Sequence, residues 1–272
     1  MLWWLLVVAQ LWLPGLGDPP SNRYWLDSHI GSGFVLSAVE QAQVFTLQLQ
    51  DAQAEDALLV AGAALALGKT SLYLISDRQQ LPWFLREADQ AFPRHVSIGD
   101  RPCHPGIEPG PLPTTGLVKQ PVDSFIGCLM SRLTPDQYID ARTHLKAIRT
   151  SMQLYGGDQH PYCEGINVAS AADFDSPAHA LQLDMEALRK ASDCVFYLYD
   201  GQSRPSGMWV ELGAALAWEK DCLLLTPRCE ALPPSLRGSI LPAHLRIVYY
   251  QDHAQLLRDL ADPSQAPGLV AP

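Results

Sequence analysis

The sequence predicts an α/β fold built from two tandem three-layer units of the flavodoxin or Rossmann type, each with a parallel sheet, packed together as a pseudo-dimer. Three observations predict it: short apolar runs alternate with helical segments, two motifs recur in one register, and a proline-rich stretch separates the copies. Alternating strands and helices are typical of a parallel sheet covered by helices on both faces.

Two motifs define the internal repeat. The pentapeptide GAALA at residues 62–66 returns at residues 213–217, and the pattern LPxxLR at residues 81–86 returns at residues 232–237. Both motifs recur 151 residues further along the chain. A shared register over two separate motifs indicates a duplication.

The boundary between the copies follows from composition. Residues 100–116, DRPCHPGIEPGPLPTTG, contain five prolines and three glycines, which interrupt helices and central strands and indicate a linker. We therefore assign residues 1–99 to a degenerate first unit and residues 100–119 to the linker. Residues 120–272 form the second unit, in which the active site is expected.

The first unit opens with the apolar run LWWLLVVAQLWL at residues 2–13. Three interpretations are open: a buried first strand or helix, a secretory signal peptide, and an anchor at a membrane surface. The run is too short to span a bilayer comfortably and lacks the positively charged start of a signal peptide. Residues 1–21 align with residues 150–170, so the repeat favours a segment of the fold. A helix without polar residues is expected over 57–67.

In the second unit, Thr134-Pro135 predicts the N-cap and first residue of a helix that runs to about residue 150. Ser176-Pro177 predicts a second helix, which runs to about residue 191. The apolar runs that follow predict strands at 194–199, 223–225 and 247–249 and helices at 207–219 and around 253–260.

Composition excludes several functions. With 29 acidic and 19 basic residues, the net charge of −10 argues against nucleic-acid binding, because phosphate contacts dominate that affinity. The six cysteines and eight histidines form neither a Cys-x-x-Cys nor a His-x-x-x-His pair, so neither a metal nor a cofactor is expected. We expect free cysteines and a reducing, cytoplasmic compartment. Residues 68–70, GKT, do not form a P-loop, because Ala63 replaces the required glycine.

The strongest candidate for chemistry is the segment 199–213, which runs from a strand through a polar loop into a helix. Asp200 stands at the carboxyl end of the strand, where open α/β sheets bind ligands. Glu211 is the only ionisable residue in residues 207–218. It is either a partly desolvated functional carboxylate or a solvent-facing residue favoured by the helix dipole. The matching residue of the first unit is Val60, so only one copy keeps the carboxylate.

This segment resembles a known family. Asp200-Gly201, followed ten residues after the glycine by the pattern ELGxAxAxxK at residues 211–220, is similar to the signature of the nucleoside 2-deoxyribosyltransferase-like superfamily of N-glycosidases. Residues 205–213, PSGMWVELG, with the later LPxxLR motif, resemble the deoxyribosyltransferase-like effectors of bacterial anti-phage systems such as retrons. The resemblance covers residues 150–250 well and the first copy in degenerate form.

The resemblance implies roles for individual residues. The glutamate that matches Glu211 attacks or stabilises the anomeric carbon of a nucleoside, and the aspartate that matches Asp200 holds or protonates the base. Deoxyribosyltransferases usually carry an acidic residue six positions before this glutamate, where this chain has Pro205, and the difference favours a hydrolase. Substrate contacts are expected from Gly201, Ser206, Gly207, Met208, Trp209, Tyr155 and Asp158.

Several of these assignments have structural alternatives. Ser206 either contacts a phosphate at the helix start or is a plain N-cap. Trp209 either covers the ribose or base or is a core aromatic residue. Tyr155 and Asp158 depend on a first strand and pocket loop that are expected over residues 154–158.

The resemblance implies a nucleotide N-glycosidase that hydrolyses NAD or a (deoxy)nucleoside monophosphate and acts as a toxic effector in anti-phage defence. The alternative is a catalytically inactive module that senses a nucleotide or acts as a scaffold in a defence complex. The expected partner is a small nucleotide, and a homo-oligomer or a partner defence protein stays open. Because the family builds its sites near subunit contacts, we expect the first copy to replace a partner subunit.

Overall fold

The computed structural model describes residues 8–12, 37, 39–42, 44–48, 55–100, 109–130, 133–157, 159–168, 173–200, 206–238 and 241–262. Within these residues the chain forms two sheets of mainly parallel strands with helices packed on them, so the predicted α/β fold is confirmed. No helix among these residues has the length and apolarity needed to cross a membrane.

The first sheet has four strands in chain order, which are β1 (Val8–Trp12), β2 (Val44–Gln48), β3 (Thr70–Leu74) and β4 (Val96–Gly99). This unit contains the helices α1 (Glu55–Ala66) and α2 (Ala88–Ala91). β2, β3 and β4 are parallel, whereas β1 pairs with β2 in the antiparallel direction, as edge strands of such sheets often do. Part of the apolar amino-terminal run therefore belongs to the sheet.

The second sheet has five parallel strands in the order β6-β5-β7-β8-β9. The strands are β5 (Ser124–Cys128), β6 (Pro161–Tyr162), β7 (Asp193–Tyr197), β8 (Asp221–Thr226) and β9 (Leu245–Tyr249). The helices are α3 (Pro135–Ser151), α4 (Glu164–Asn167), α5 (Pro177–Lys190), α6 (Gly207–Ala217) and α7 (His253–Ala261).

Both predicted helix starts are confirmed. Thr134 forms a capping box with Gln137: its hydroxyl accepts from Gln137 N at 3.3 Å, and its N–H donates to Oε1 of Gln137 at 3.0 Å. The Ser176 hydroxyl accepts a hydrogen bond from His179 N at 3.1 Å. These caps fix the first turns of α3 and α5 and thereby the faces that both helices turn towards the sheet.

The expectation of a strand and pocket loop over residues 154–158 is wrong. Met152–Gly156 continues α3 as a π-helical turn. Residues 152–155 contain no glycine or proline that would end the helix earlier. Gly157 ends it with a left-handed φ of 78°. The first strand of the second unit is instead β5, which was not predicted from the sequence. Its run of five residues is short and contains Gly127.

Helices α1 and α6 hold the two units together. A Cβ on Gly62 would lie 1.9 Å from the carbonyl oxygen of Val210, and a Cβ on Gly213 would lie 1.8 Å from that of Leu59. Leu59 corresponds to Val210 and Gly62 to Gly213, so these are two copies of one contact, as in an isologous dimer interface. The predicted pseudo-dimer is confirmed.

Helices cover both faces of the second sheet. α5 and α6 pack with Phe125 and Phe196 in the main core, which continues into the first unit. α3 and α7 pack over Ile126, Val195 and Tyr197 on the opposite face. Three layers result, and β5 lies inside the sheet with its carboxyl end between the two helical layers.

Candidate active site

A cavity of about 410 Å³ adjoins the carboxyl-terminal half of β5, within the range of about 300–1,000 Å³ usual for small-molecule sites. The second unit lines it with residues 125–128, the start of α6 and Asp184 of α5. The first unit lines it with residues 79–84 and Arg86. The site therefore lies between the two copies and at the edge where parallel sheets bind ligands.

Glu211 of α6 lines the cavity and is only 8% exposed, so the solvent-facing interpretation is wrong. Gly127 gives its carboxyl room, because a Cβ there would lie 2.7 Å from Oε2 of Glu211. Burial, and secondly the negative charge of Asp184, raise the pKa of Glu211 well above its ordinary value of 4.5. These surroundings therefore favour the protonated form of the carboxyl, and a cation or a hydrogen-bond donor beside it would favour the anion.

Asp184 is the second buried carboxyl of the cavity, also 8% exposed. The Tyr162 hydroxyl donates a hydrogen bond to its Oδ1 at 3.3 Å. Burial, and secondly the charge of Glu164, raise the pKa of Asp184 to about 7. Glu164 also lines the cavity. Carboxyl groups whose surroundings set different pKa values can divide the roles of acid and base.

Cys128, at the end of β5, lines the same cavity. Burial raises the pKa of its thiol well above the ordinary value, and the charges of neighbouring groups, Cys163, Glu211 and Asp200, act in the same direction. A thiol needs its anion to attack a substrate. Cys128 is therefore a neutral wall residue at neutral pH, and the nucleophilic candidates are the carboxyl groups.

The two units together form an aromatic wall. Trp83 of the first unit and Phe174 of the second contact each other with ring centroids 5.6 Å apart, and both line the cavity. At the start of α6, a Cβ on Gly207 would lie 2.8 Å from Cβ of Phe84, so only glycine allows this approach. Arg86 is the cationic side chain among the described cavity residues. The cavity is thus incomplete without the first copy.

Three of the sequence-predicted contact residues line the cavity together with Glu211: Ser206, Gly207 and Met208. The Ser206 hydroxyl accepts a hydrogen bond from Met208 N at 3.3 Å, so it acts as the N-cap of α6. Trp209 is fully buried in the main core and is not among the described residues that line the cavity. This placement agrees with the alternative interpretation of Trp209 as a core aromatic residue.

The remaining predicted residues lie elsewhere or outside the described residues. Asp200 is half-buried beyond the end of β7, and its negative charge contributes to the raised pKa of Tyr250. It is not one of the described residues that line the cavity. Gly201 and Asp158 fall outside the described residues. The backbone of Tyr155 belongs to the π-helical turn, and its side chain is not described.

The sequence reasoning missed Asp184 although a signal was present. Ala180, Leu181, Asp184 and Leu188 share one face of α5, and the three apolar members belong to the main core. A carboxylate on an apolar stripe is a candidate for a buried functional group. Glu164 carried no comparable signal, because its helix has only four residues.

A separate polar group lies on the opposite face of the sheet. Asp140 and His144 of α3 and His253 of α7 each offer one ligand atom, and these atoms lie within 4.8 Å of one another. None of the three lines the cavity. A search for pairs of histidines could not find this group, because α3 contributes an aspartate and a histidine.

No family model, no curated protein and no solved structure matches this chain.

Proposed function

We propose that the second unit is a nucleotide N-glycosidase that hydrolyses the N-glycosidic bond of NAD or of a (deoxy)nucleoside monophosphate. The observation that carries the proposal is the buried carboxyl of Glu211, seated against Gly127 in a cavity of about 410 Å³. The resemblance of residues 200–220 to the deoxyribosyltransferase-like N-glycosidases supports the same reaction.

The reaction breaks the bond between C1′ and the base, and the bonding electrons leave with the base. The sugar then resembles an oxocarbenium ion, which the anion of Glu211 stabilises or attacks. Asp184 donates a proton to a leaving purine or pyrimidine and afterwards accepts one from the water that attacks C1′. Its pKa of about 7 suits both directions at neutral pH. Nicotinamide leaves as a neutral molecule and needs no proton.

The charges of the cavity favour NAD within this class. Glu211, Asp184 and Glu164 all line it, and burial favours the protonated form of Glu211. The nicotinamide ring of NAD carries a positive charge, and a cation beside Glu211 lowers the pKa of this carboxyl and produces the anion that the reaction needs. The pyrophosphate would contact Arg86 and the start of α6, where the helix dipole favours anions.

The test is base release by the purified full-length chain. We expect nicotinamide to appear when NAD is added, with slower or no release from nucleoside monophosphates, as measured by chromatography. Glu211→Gln should lower the rate at least about 10³-fold, because the anion is lost while the shape is kept. Glu219→Gln makes the same chemical change at an exposed residue after α6 and should leave the rate unchanged. Wild-type release by Glu211→Gln would exclude the mechanism.

The raised pKa of Glu211 also supports the second candidate, a catalytically inactive nucleotide sensor or scaffold. A neutral carboxyl can hold a ribose hydroxyl without attacking C1′. Equilibrium binding of the same nucleotides separates the two candidates. Tight binding without base release from any of them would favour the sensor.

The proposed setting is the cytoplasm, where the protein would act as a toxic effector of a defence system, as a homo-oligomer or with a partner protein. The resemblance to retron effectors supports the role. The five described cysteines, Cys128, Cys163, Cys194, Cys222 and Cys229, are all free thiols, which fits a reducing compartment.

A further inference from the structure

The group formed by Asp140, His144 and His253 lies where α3 and α7 meet the end of β7. Asp140 and His144 are one turn apart on α3, and His253 is the first residue of α7. The two imidazole rings contact each other with centroids 4.5 Å apart. Asp140 is exposed, His253 half-buried and His144 buried, so the group reaches from solvent to the core.

The hydrogen bonds of His253 fix its tautomer. Its Nε2 lies 2.6 Å from the carbonyl oxygen of Tyr199. Since a carbonyl can only accept, Nε2 carries the proton and Nδ1 keeps a lone pair. That Nδ1 lies 3.7 Å from Oδ2 of Asp140, too far for a hydrogen bond between them.

A hydrogen bond also orients the ring of His144. Its Nδ1 lies 3.1 Å from the hydroxyl oxygen of Tyr197. When Nδ1 donates to this oxygen, Nε2 keeps a lone pair, as Nδ1 of His253 does.

The third member is held in the same way. The Tyr199 hydroxyl donates to Oδ2 of Asp140 at 2.7 Å, while the Tyr199 carbonyl accepts from His253. Such outer hydrogen bonds to a carboxylate and to the far nitrogen of an imidazole are typical of metal ligands. Tyr199 thus orients two of the three side chains.

We propose that Asp140, His144 and His253 bind one divalent zinc-class metal ion, with water as the fourth ligand. Two imidazole nitrogens and one carboxylate oxygen suit Zn²⁺, whereas Mg²⁺ and Ca²⁺ prefer oxygen alone. Around a tetrahedral zinc ion, ligand atoms lie about 3.4 Å apart. The separation of 3.7 Å between Nδ1 of His253 and Oδ2 of Asp140 is close to this value, and all three ligand atoms lie within 4.8 Å of one another.

The ion would tie α3 and α7 to Tyr199, immediately before Asp200 and the segment that leads to α6. None of the three ligands lines the cavity, so the site is independent of the proposed N-glycosidase function.

The experiment uses the full-length chain after removal of metal with a chelator. We expect one Zn²⁺ per chain in a calorimetric titration and, with Co²⁺ as the probe, the visible absorption of a tetrahedral site. His253→Gln and Asp140→Asn should each weaken Zn²⁺ binding about 100-fold, and Tyr199→Phe about 10-fold. Both ligand changes are at residues that are not fully buried, so circular dichroism of the metal-free variants should match the wild type.

His244→Gln is the matched control. Nδ1 of His244 lies 3.1 Å from Oδ1 of Asp221, a similar histidine–carboxylate pair on the exposed surface, and its loss should leave Zn²⁺ binding unchanged. The proposal fails if the stripped wild type takes up no Zn²⁺ at micromolar concentration, or if His253→Gln binds it as tightly as the wild type. A thiolate charge-transfer band in the Co²⁺ spectrum would also overturn it, because cysteine would then be a ligand.

Discussion

Helices α1 and α6 are copies of one sequence element that now differ in chemistry. Both contain GAALA, and Gly62 and Gly213 make the same contact with the facing backbone. At the matching positions 60 and 211 one helix has valine and the other glutamate, and both side chains are buried. Identical packing therefore accommodates either residue, and the interface itself does not require the carboxyl group.

The starts of the two helices differ in a second way. Asp56 of α1 accepts hydrogen bonds from N and Oγ of Ser235. The matching residues, each 151 positions away, are Gly207 and Phe84, and both line the cavity. The first copy thus has a hydrogen-bonded polar pair where the second has a glycine against an aromatic ring.

The framework around these differences is preserved in detail. Nε of Arg86 donates to the carbonyl of Leu81 at 3.2 Å, and Nε of Arg237 donates to that of Leu232 at 2.8 Å. Three residues after the two GAALA helices end, the backbone N–H groups of Lys69 and Lys220 donate to the matching carbonyls of Ala64 and Ala215. The duplication therefore kept these scaffold contacts in both copies, whereas the carboxyl of Glu211 is present only in the second.

The largest expected effect tests the symmetry of the interface. Gly213→Ala places a Cβ 1.8 Å from a backbone oxygen, and Gly62→Ala does the same at 1.9 Å. Each should lower the free energy of unfolding by about 3 kcal/mol, since rigid backbone on both sides must move. Urea unfolding measures it. Gly238→Ala, with no neighbour within 4 Å, is the control, and equal stability of all three variants would disprove the close approach.

A smaller effect tests the difference between Val60 and Glu211. A carboxyl whose pKa is raised on folding contributes fully below its unfolded pKa, near 4.5, and loses that contribution as the pH rises through the folded value. The wild type should therefore lose stability between pH 5 and pH 8 relative to Glu211→Gln. The relative change should be at least about 1.4 kcal/mol, the equivalent of one pKa unit. Parallel pH curves for the two proteins in urea unfolding would contradict the buried, protonated carboxyl.

The repeat explains how much of the fold could be predicted. Two motifs in one register predicted both units and the packing of α1 on α6, because a helix that is apolar all round must be covered all round. β5 could not be predicted, since a run of five residues that contains a glycine has no periodicity to distinguish it from a loop. The direction of β1 could not be predicted either, because an edge strand can pair both ways.

The candidate site could be predicted only where it is local in sequence. Glu211 was found because a carboxylate on an apolar helix is unusual. Asp184, Trp83 and Arg86 reach the same cavity from another helix and from the other unit, and their distance from Glu211 is set by the pseudo-dimer. Likewise His253 meets Asp140 only through the packing of α7 on α3.

The smallest expected effect concerns the residue with left-handed backbone that follows each of the helices α1 and α6, which is glycine in the first copy and glutamate in the second. Glu219 has a left-handed φ of 54°, and the matching residue of the first copy is Gly68 with a φ of 63°. Both N–H groups bond the carbonyl three residues back, at 3.1 Å from Leu216 and 2.9 Å from Leu65. Glycine adopts this conformation without the cost of about 1–2 kcal/mol that a Cβ brings. Glycine also raises the conformational entropy of the unfolded chain, which offsets part of that gain in stability.

Glu219→Gly should therefore stabilise the protein by about 0.5–1 kcal/mol, because the side chain is exposed and few contacts are lost. Gly68→Ala is the opposite change in the first copy and should destabilise it by more than this, since its Cβ would also lie 1.8 Å from the carbonyl oxygen of Gly110. Thermal unfolding of both variants measures the pair. If Glu219→Gly unfolds at a lower temperature than the wild type, the left-handed end of α6 is not strained, and the two helix ends are equivalent in energy despite their different residues.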